Sequence, residues 1–162
     1  QGALFIGRIP EQQEFMLQKG SLVLDGIQDP GNLGTILRTA DALEIPVVMT
    51  EGCADPHSPK TIRASMGAVF RTRPVLTAQD QVIAESRRQN LPLYATALSS
   101  DARDLREICL AEGAVVIGSE GRGVSEPYLQ AAAEHVIIPM NPRCESLNAA
   151  TAATIVMWEL RR

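Results

Sequence analysis

No apolar run in this 162-residue chain approaches the ~18 residues that a membrane-spanning helix needs, so no membrane association is expected. No charged-then-apolar leader opens it, and no secretion signal is expected either. Cysteine is sparse. Cys53, Cys109 and Cys144 are odd in number, widely spaced and form no C-x-x-C pair. His57 follows Cys53 by one helical turn, but no second pair of ligands completes a metal site. Three free thiols, no metal and a reducing, cytoplasmic compartment are therefore expected. Positive charge is also short: 15 Lys and Arg stand against 19 Asp and Glu, a net charge of −4. Such a chain is not a natural non-specific nucleic-acid binder. Any such contact must rest on local basic patches or on another domain.

Three common loop signatures are absent. There is no G-x-x-x-x-G-K-[ST], which argues against a nucleotide triphosphatase. There is no G-x-S-x-G nucleophile elbow. The dinucleotide fingerprint G-x-G-x-x-G is missing as well. Gly118-Ser119-Glu120-Gly121-Arg122-Gly123 has the order G-x-x-G-x-G, comes late, and places Glu120 where it would repel a pyrophosphate. The chain also has no internal repeat and no low-complexity segment.

What is present suits one domain with a core of its own. Apolar residues make up 45% and charged residues 21%, ordinary for a globular chain. Strands are expected over 3–8, 21–25, 45–50, 68–75, 91–98, 114–118 and 136–140. Helices are expected over 33–44, 59–66, 78–89, 126–133 and 146–161, with a weak helical turn over 104–110. Residues 11–19 read as a short helix or linker. Ser21-Leu22-Val23-Leu24-Asp25 is apolar without alternation, as in a strand buried on both faces. Leu33, Ile36, Leu37, Ala40 and Leu43 recur at the spacing of one helical face, with Asp29 or Asn32 as the cap. Alternating strands and helices give an α/β fold with a mainly parallel sheet flanked by helices.

The closing helix is apolar nearly all round. Leu147, Ala150, Thr151, Thr154, Ile155 and Trp158 lie along one face, and Ala149, Ala153, Val156, Met157 and Leu160 cover another. One side can pack on the sheet and the other on a second subunit; the alternative is a central core helix in a monomer. The loops after the late strands combine glycines with a carboxylate. Residue chemistry alone stops there, at a ligand pocket better suited to a cationic or neutral adenosine-like ligand than to a phosphate.

Three segments, in order, resemble the SpoU (TrmH-type) RNA 2′-O-methyltransferases of the SPOUT superfamily. They are Leu24-Asp25-Gly26-Ile27-Gln28-Asp29-Pro30-Gly31-Asn32-Leu33-Gly34-Thr35-Ile36-Leu37-Arg38-Thr39-Ala40, then Ile117-Gly118-Ser119-Glu120-Gly121-Arg122-Gly123-Val124-Ser125, then Ile138-Pro139-Met140 with Glu145-Ser146-Leu147-Asn148. The resemblance implies a SPOUT α/β-knot, a deep C-terminal trefoil knot, which is a rare exception to unthreaded chains. It implies a pocket for S-adenosyl-L-methionine lined by Thr96, Gly118, Ile138, Met140 and Leu147. It assigns catalytic roles to Arg38, Asn32, Glu120, Ser146 and Asn148. Arg38 matches the arginine held to act on the ribose 2′-OH. A guanidinium is always protonated, so holding a phosphate and a developing alkoxide fits it better than a base role. Asn32 would orient Arg38 or the ribose, and Glu120 would accept hydrogen bonds from Arg38 or Asn32. Asn148 could instead be only a structural residue at the helix start.

The implied activity is in-line methyl transfer to a ribose 2′-OH of RNA, with rRNA preferred and tRNA the alternative. The implied assembly is a homodimer in which Arg38 faces the cofactor of the partner. Residues 21–162 would be the catalytic domain, and 1–20 a strand and linker after a removed upstream RNA-binding domain, as Gln1 in place of Met suggests. Asn141-Pro142-Arg143-Cys144 departs from the glycine-bearing loop of many members and resembles the rRNA-modifying branch. Arg63, Arg71 and Arg73 would form an RNA-facing patch or be scattered surface arginines. The rivals are a catalytically silent RNA- or cofactor-binding module and a dinucleotide-dependent oxidoreductase.

Overall fold

The computed structural model describes residue 2 and residues 6–9 and 15–162. The strand expected over 3–8 and the helix or linker over 11–19 lie partly outside these residues. Where described, at 6–9 and 15–18, the chain has no regular secondary structure. From there the elements are β1 (Ser21–Asp25), α1 (Pro30–Leu43), β2 (Val47–Met49), α2 (Pro59–Ala64), α3 (Val69–Thr72), β3 (Val75–Leu76), α4 (Gln79–Gln89), β4 (Leu93–Thr96) and β5 (Arg103–Asp104). Two 3₁₀ turns at Leu105–Glu107 and Leu110–Glu112 lead to β6 (Ala114–Gly118), α5 (Glu126–Ala131), β7 (Glu134–Ile137) and α6 (Ala149–Leu160).

The strands form one sheet in the order β3-β2-β1-β6-β4-β7-β5, and every pairing is parallel. Successive side chains of a strand point to opposite faces, so central strands covered on both faces must be apolar throughout. Leu22, Leu24, Val115 and Ile117 pack with α1 and α6 on one face. Val23, Ala114 and Val116 pack with Val82 of α4 and Tyr128 of α5 on the other. Each fully buried Leu, Val or Ile here contributes about 1.5–3 kcal/mol relative to exposure.

Helix α1 begins at Pro30, three residues before the expected start. Asp29 caps it, its Oδ1 accepting from Asn32 N at 2.8 Å, and Glu44 ends it at φ 54°. Because Asp29 is the cap, the Asn32 side chain is left for other work. Gly34 lies where α1 meets α2. A Cβ there would sit 2.7 Å from Thr61 O and 2.8 Å from Ser65 N.

The strand expected over 68–75 is mostly helix α3. Met66 and Gly67 both take positive φ, 51° and 78°, and turn the chain before it can extend. Ala68 and Val69 are then buried side by side while Phe70 is exposed, a pattern a half-buried strand cannot give. Thr72 Oγ1 ties α3 to Leu37 O of α1 at 3.3 Å. Near the C-terminus, β7 covers Glu134–Ile137 rather than 136–140, and α6 starts at Ala149 rather than 146. Pro139 has no N–H for the ladder, and Asn148 caps α6. Residues 138–147 are thereby left as loop.

Candidate functional site

All strands run the same way, so β4, β6 and β7, adjacent in the sheet, end at one edge. Outside the carboxyl ends of parallel strands is where α/β folds hold ligands. A cavity of about 400 Å³ opens there. After β4 it is lined by Ala97 and Leu98, after β6 by Ser119 and Glu120, and after β7 by Ile138 and Met140. Ser146 and Leu147 close it from the loop before α6.

All five residues expected around a cofactor, Thr96, Gly118, Ile138, Met140 and Leu147, line this one cavity. Thr96 Oγ1 donates to Val116 O at 3.1 Å, locking β4 to β6 at the rim. Gly118 has a steric reason to be glycine. The loop after it folds back, with Gly123 N donating to Ser119 O at 2.8 Å, and a Cβ on Gly118 would overlap the backbone of Gly123 and Val124. Ala97, Leu98, Leu129 and Arg122 also line the cavity. Sequence reasoning missed them: Ala97, Leu98 and Leu129 belong to none of the three motif segments, and Arg122, although inside the second, was given no role there.

Beside the cavity stands an amide–carboxylate cluster. Glu120 Oε1 accepts from Asn32 Nδ2 at 2.8 Å, from Asn148 Nδ2 at 2.9 Å and from Ala149 N at 3.1 Å. Asn148 Nδ2 also donates to Asn32 Oδ1 at 3.0 Å. The other face of Asn148 caps α6, its Oδ1 accepting from Ala150 N at 3.0 Å and Thr151 N at 3.3 Å. The structural reading of Asn148 as the cap of α6 is met, and the same side chain also reaches Glu120 and Asn32. Glu120 Oε2 takes no hydrogen bond from any described residue. A carboxylate held at one oxygen and open at the other is a fixed acceptor for a hydroxyl or amine.

Arg38 stands apart. It is exposed on α1, lines neither this cavity nor the smaller one beside it, and is not among the donors to Glu120. Of the two donors expected for Glu120, Arg38 or Asn32, Asn32 is the one observed, and no hydrogen bond joins Asn32 to Arg38. Helix α6 buries one face and exposes the other. Ala149, Ala150, Ala153, Val156, Met157 and Leu160 are buried, so Ala150 belongs to the inner face. Thr151, Thr154 and Trp158 are exposed, Trp158 at 66%.

Of the three candidate patch arginines, Arg71 is committed to Asp41, its Nε lying 2.9 Å from Oδ2. Arg73 Nε donates to Phe70 O at 3.4 Å, and Arg63 is exposed on α2. Among the described residues no group of His, Cys, Asp and Glu could hold a metal ion. No helix among them is long and apolar enough to cross a membrane. Cys53, Cys109 and Cys144 are free thiols.

Comparison with known proteins agrees with this geometry. A family model described as the SpoU rRNA Methylase family matches residues 19–158. An uncharacterised tRNA/rRNA methyltransferase of Synechocystis sp. is 41% identical over 144 residues, covering 87% of this chain and 52% of that protein. The 23S rRNA guanosine 2′-O-methyltransferase RlmP of Bacillus subtilis is 36% identical over 155 residues, covering 94% of this chain and 62% of that one. The structure of an AdoMet-bound rRNA methyltransferase from Sinorhizobium meliloti superposes with a TM-score of 0.83 at 34% identity. That match covers 91% of this chain and 58% of the other. The chain spans little more than half the length of these relatives. From the matched span and the shared fold, the chain belongs to the SpoU rRNA methylase family.

Proposed function

We propose that the chain is the catalytic domain of an S-adenosylmethionine-dependent RNA methyltransferase acting on a ribose 2′-OH, with rRNA as the substrate rather than tRNA. One observation carries this reading. A cavity of about 400 Å³ at the strand ends is joined to a carboxylate fixed by two asparagines from distant parts of the chain. The size is within the range of cofactor sites. Ile138 and Leu147 offer apolar walls for a flat purine, and Thr96, Ser119 and Ser146 supply polar groups around it. The residues present therefore fit S-adenosylmethionine, which when bound supplies a sulfonium methyl to an attacking oxygen.

The chain's own groups do the positioning. Asn32 and Asn148 hold Glu120 still, leaving Oε2 to accept a hydrogen bond from the acceptor ribose. Fixing a nucleophile in line is worth several kcal/mol of barrier, about 7–11 at best. Arg38 stabilises the developing 2′-alkoxide and the phosphate beside it as a permanent cation. Since Arg38 lines neither cavity of its own protomer, it does this in a homodimer, at the partner's site. The exposed Thr151, Thr154 and Trp158 face of α6 supports such a dimer. A C-terminal tail threaded as a trefoil knot, an RNA-binding domain upstream of a strand and linker at 1–20, and a cytoplasmic location belong to the same reading. The rRNA preference is supported by the 36% identity to RlmP.

The test is incubation of the purified protein with methyl-labelled S-adenosylmethionine and ribosomal RNA or bulk tRNA, followed by mapping of 2′-O-methyl marks. Label at one ribose of rRNA is expected. Cofactor binding without label in either RNA would leave only a silent binding module.

A further inference from the structure

The amide–carboxylate cluster separates two cavities. Beside the large one lies a smaller one of about 120 Å³, bordered by Gln28, Asp29 and Asn32. It has room for about four waters, enough for a five-membered sugar ring. Glu120 and Arg122, at the tip of the loop after β6, line both cavities. Among the described residues Arg122 is the only cation lining either of them.

The acids around Arg122 are held by other donors, with only Glu120 Oε2 left open. Asp29 Oδ1 accepts from Asn32 N at 2.8 Å and its Oδ2 from Lys60 Nζ at 3.1 Å. Glu120 Oε1 takes three donors. The backbone at Arg122 is held, its N–H donating to Ser119 Oγ at 3.3 Å. Its guanidinium makes no hydrogen bond or ion pair with any described residue. A cation anchored at its backbone and free at its tip, between two cavities, is placed to receive an anion.

We infer that the smaller cavity seats the acceptor ribose and that Arg122 holds a phosphate attached to it. This rests on the function proposed above. Sugar hydroxyls find acceptors in Glu120 and in the amides of Asn32 and Gln28, and a phosphate finds a planar fork of donors in the guanidinium. An internal ribose carries two phosphates, so the partner's Arg38 and the chain's own Arg122 do not compete. The large cavity also touches Arg122, which makes the cofactor's carboxylate the rival anion. Exposure of Arg122 at the rim favours an anion arriving from solvent with the RNA.

The experiment uses the intact protein and its Arg122→Ala and Arg122→Lys variants. It measures kcat and KM for RNA, the affinity for S-adenosylhomocysteine by calorimetry, and the salt dependence of RNA binding. Arg122→Ala should raise KM for RNA about tenfold, the size of one charge-assisted contact. S-adenosylhomocysteine affinity should stay within about twofold, and the log–log salt slope should fall by about 0.7–1. Arg122→Lys should recover part of the KM and most of the slope, since it keeps the charge but loses the fork. Weaker S-adenosylhomocysteine binding with unchanged RNA binding would overturn the inference and put the guanidinium on the cofactor's carboxylate. No change in either would overturn it as well. Failure of the unmodified protein to methylate any RNA sinks the proposed function instead, while the salt slope still reports on Arg122.

Discussion

Asn148 donates from Nδ2 to Asn32 Oδ1 at 3.0 Å although 116 residues separate them. The contact joins the start of α6 to the first turn of α1, and both amides meet again on Glu120 Oε1. The first turn of α1, the loop after β6 and the start of α6 thus share one carboxylate. The arrangement works because each asparagine is spared part of its usual task. Asp29 caps α1 in place of Asn32, and Asn148 caps α6 with its oxygen while its nitrogen turns to Glu120.

Two substitutions of Glu120 separate scaffolding from chemistry. Glu120→Ala leaves Asn32 Nδ2, Asn148 Nδ2 and Ala149 N without their acceptor. These groups are near solvent, so water replaces much of what is lost and stability falls by about 1 kcal/mol. Methyl transfer should fall about 100-fold or more, since the fixed acceptor is gone. Glu120→Gln can keep an oxygen toward the cluster but replaces the open acceptor with a donor. Its melting temperature should match the parent protein while its kcat falls nearly as far as in Glu120→Ala. Retained kcat in Glu120→Gln would show that Glu120 only scaffolds.

Gly118→Ala tests the loop after β6. The added methyl would overlap the Gly123 and Val124 backbone, and backbone cannot swing aside as a side chain can. A cost of about 1–3 kcal/mol follows from overpacking. For a chain of this size that lowers Tm by about 2–4 °C per kcal/mol. Because the displaced loop lines the cavity, affinity for S-adenosylhomocysteine should fall as well, read by calorimetry on the folded protein. Loss of stability with unchanged affinity would mean that the loop refolds around the methyl.

The central fold is legible in the sequence for a simple reason. Leu22-Val23-Leu24 and Val115-Val116-Ile117 are β-branched or leucine on consecutive positions in short runs, the need of a strand covered on both faces. The periodic face of α1 is legible likewise. Legibility fails where a backbone turn overrides side-chain pattern. At Met66 and Gly67 two positive φ angles convert an expected strand into α3, and nothing in a methionine announces φ 51°. The residues of the cavity and the cluster stood out because their motif resembles a known family, but their partners did not. Glu120 was expected to accept from Arg38 or Asn32, and Asn32 is the donor observed, while Arg38 lines neither cavity. Gly34 reads as a motif residue, yet its reason is packing against Thr61, Ala64 and Ser65 of the neighbouring helix and turn. The trefoil knot that the resemblance implies would have no local signature at all, because threading is a property of the whole chain path.

Stability should decline at alkaline pH through the partly buried Cys53 and the buried Tyr128. Desolvation pushes the Cys53 thiol up, and its Sγ donates to Leu24 O at 3.3 Å. Burial raises the Tyr128 phenol further, aided by the charges of Asp25 and Glu51. Below the ordinary thiol value, about 8.5, folded and unfolded chains both keep these protons and nothing changes. Above it the unfolded chain releases the Cys53 proton first, and above about pH 10 the Tyr128 proton. The unfolded state then binds fewer protons than the native one, so stability falls as pH rises. Melting curves at pH 7.5, 9 and 10.5 should show the drop in two stages, with Tyr128→Phe flattening the later one. At pH 8 a thiol reagent should label the exposed Cys109 and Cys144 and spare Cys53 in the native protein.

Arg38 decides whether the site is shared between protomers. Arg38→Ala should abolish transfer while leaving S-adenosylhomocysteine affinity unchanged, since Arg38 lines neither cavity. The stronger experiment mixes Arg38→Ala protomers with Glu120→Ala protomers, each inactive alone. If Arg38 serves the partner's cavity, a mixed dimer rebuilds one whole site. The Arg38→Ala protomer contributes an intact Glu120, and its partner contributes the arginine. Random exchange makes half of the dimers mixed, and each carries one working site of two, so about a quarter of the parent activity should return. If Arg38 acts within its own protomer, every site in the mixture lacks one group and no activity returns. Recovery therefore separates an arginine supplied across the dimer from one that swings back onto its own cluster.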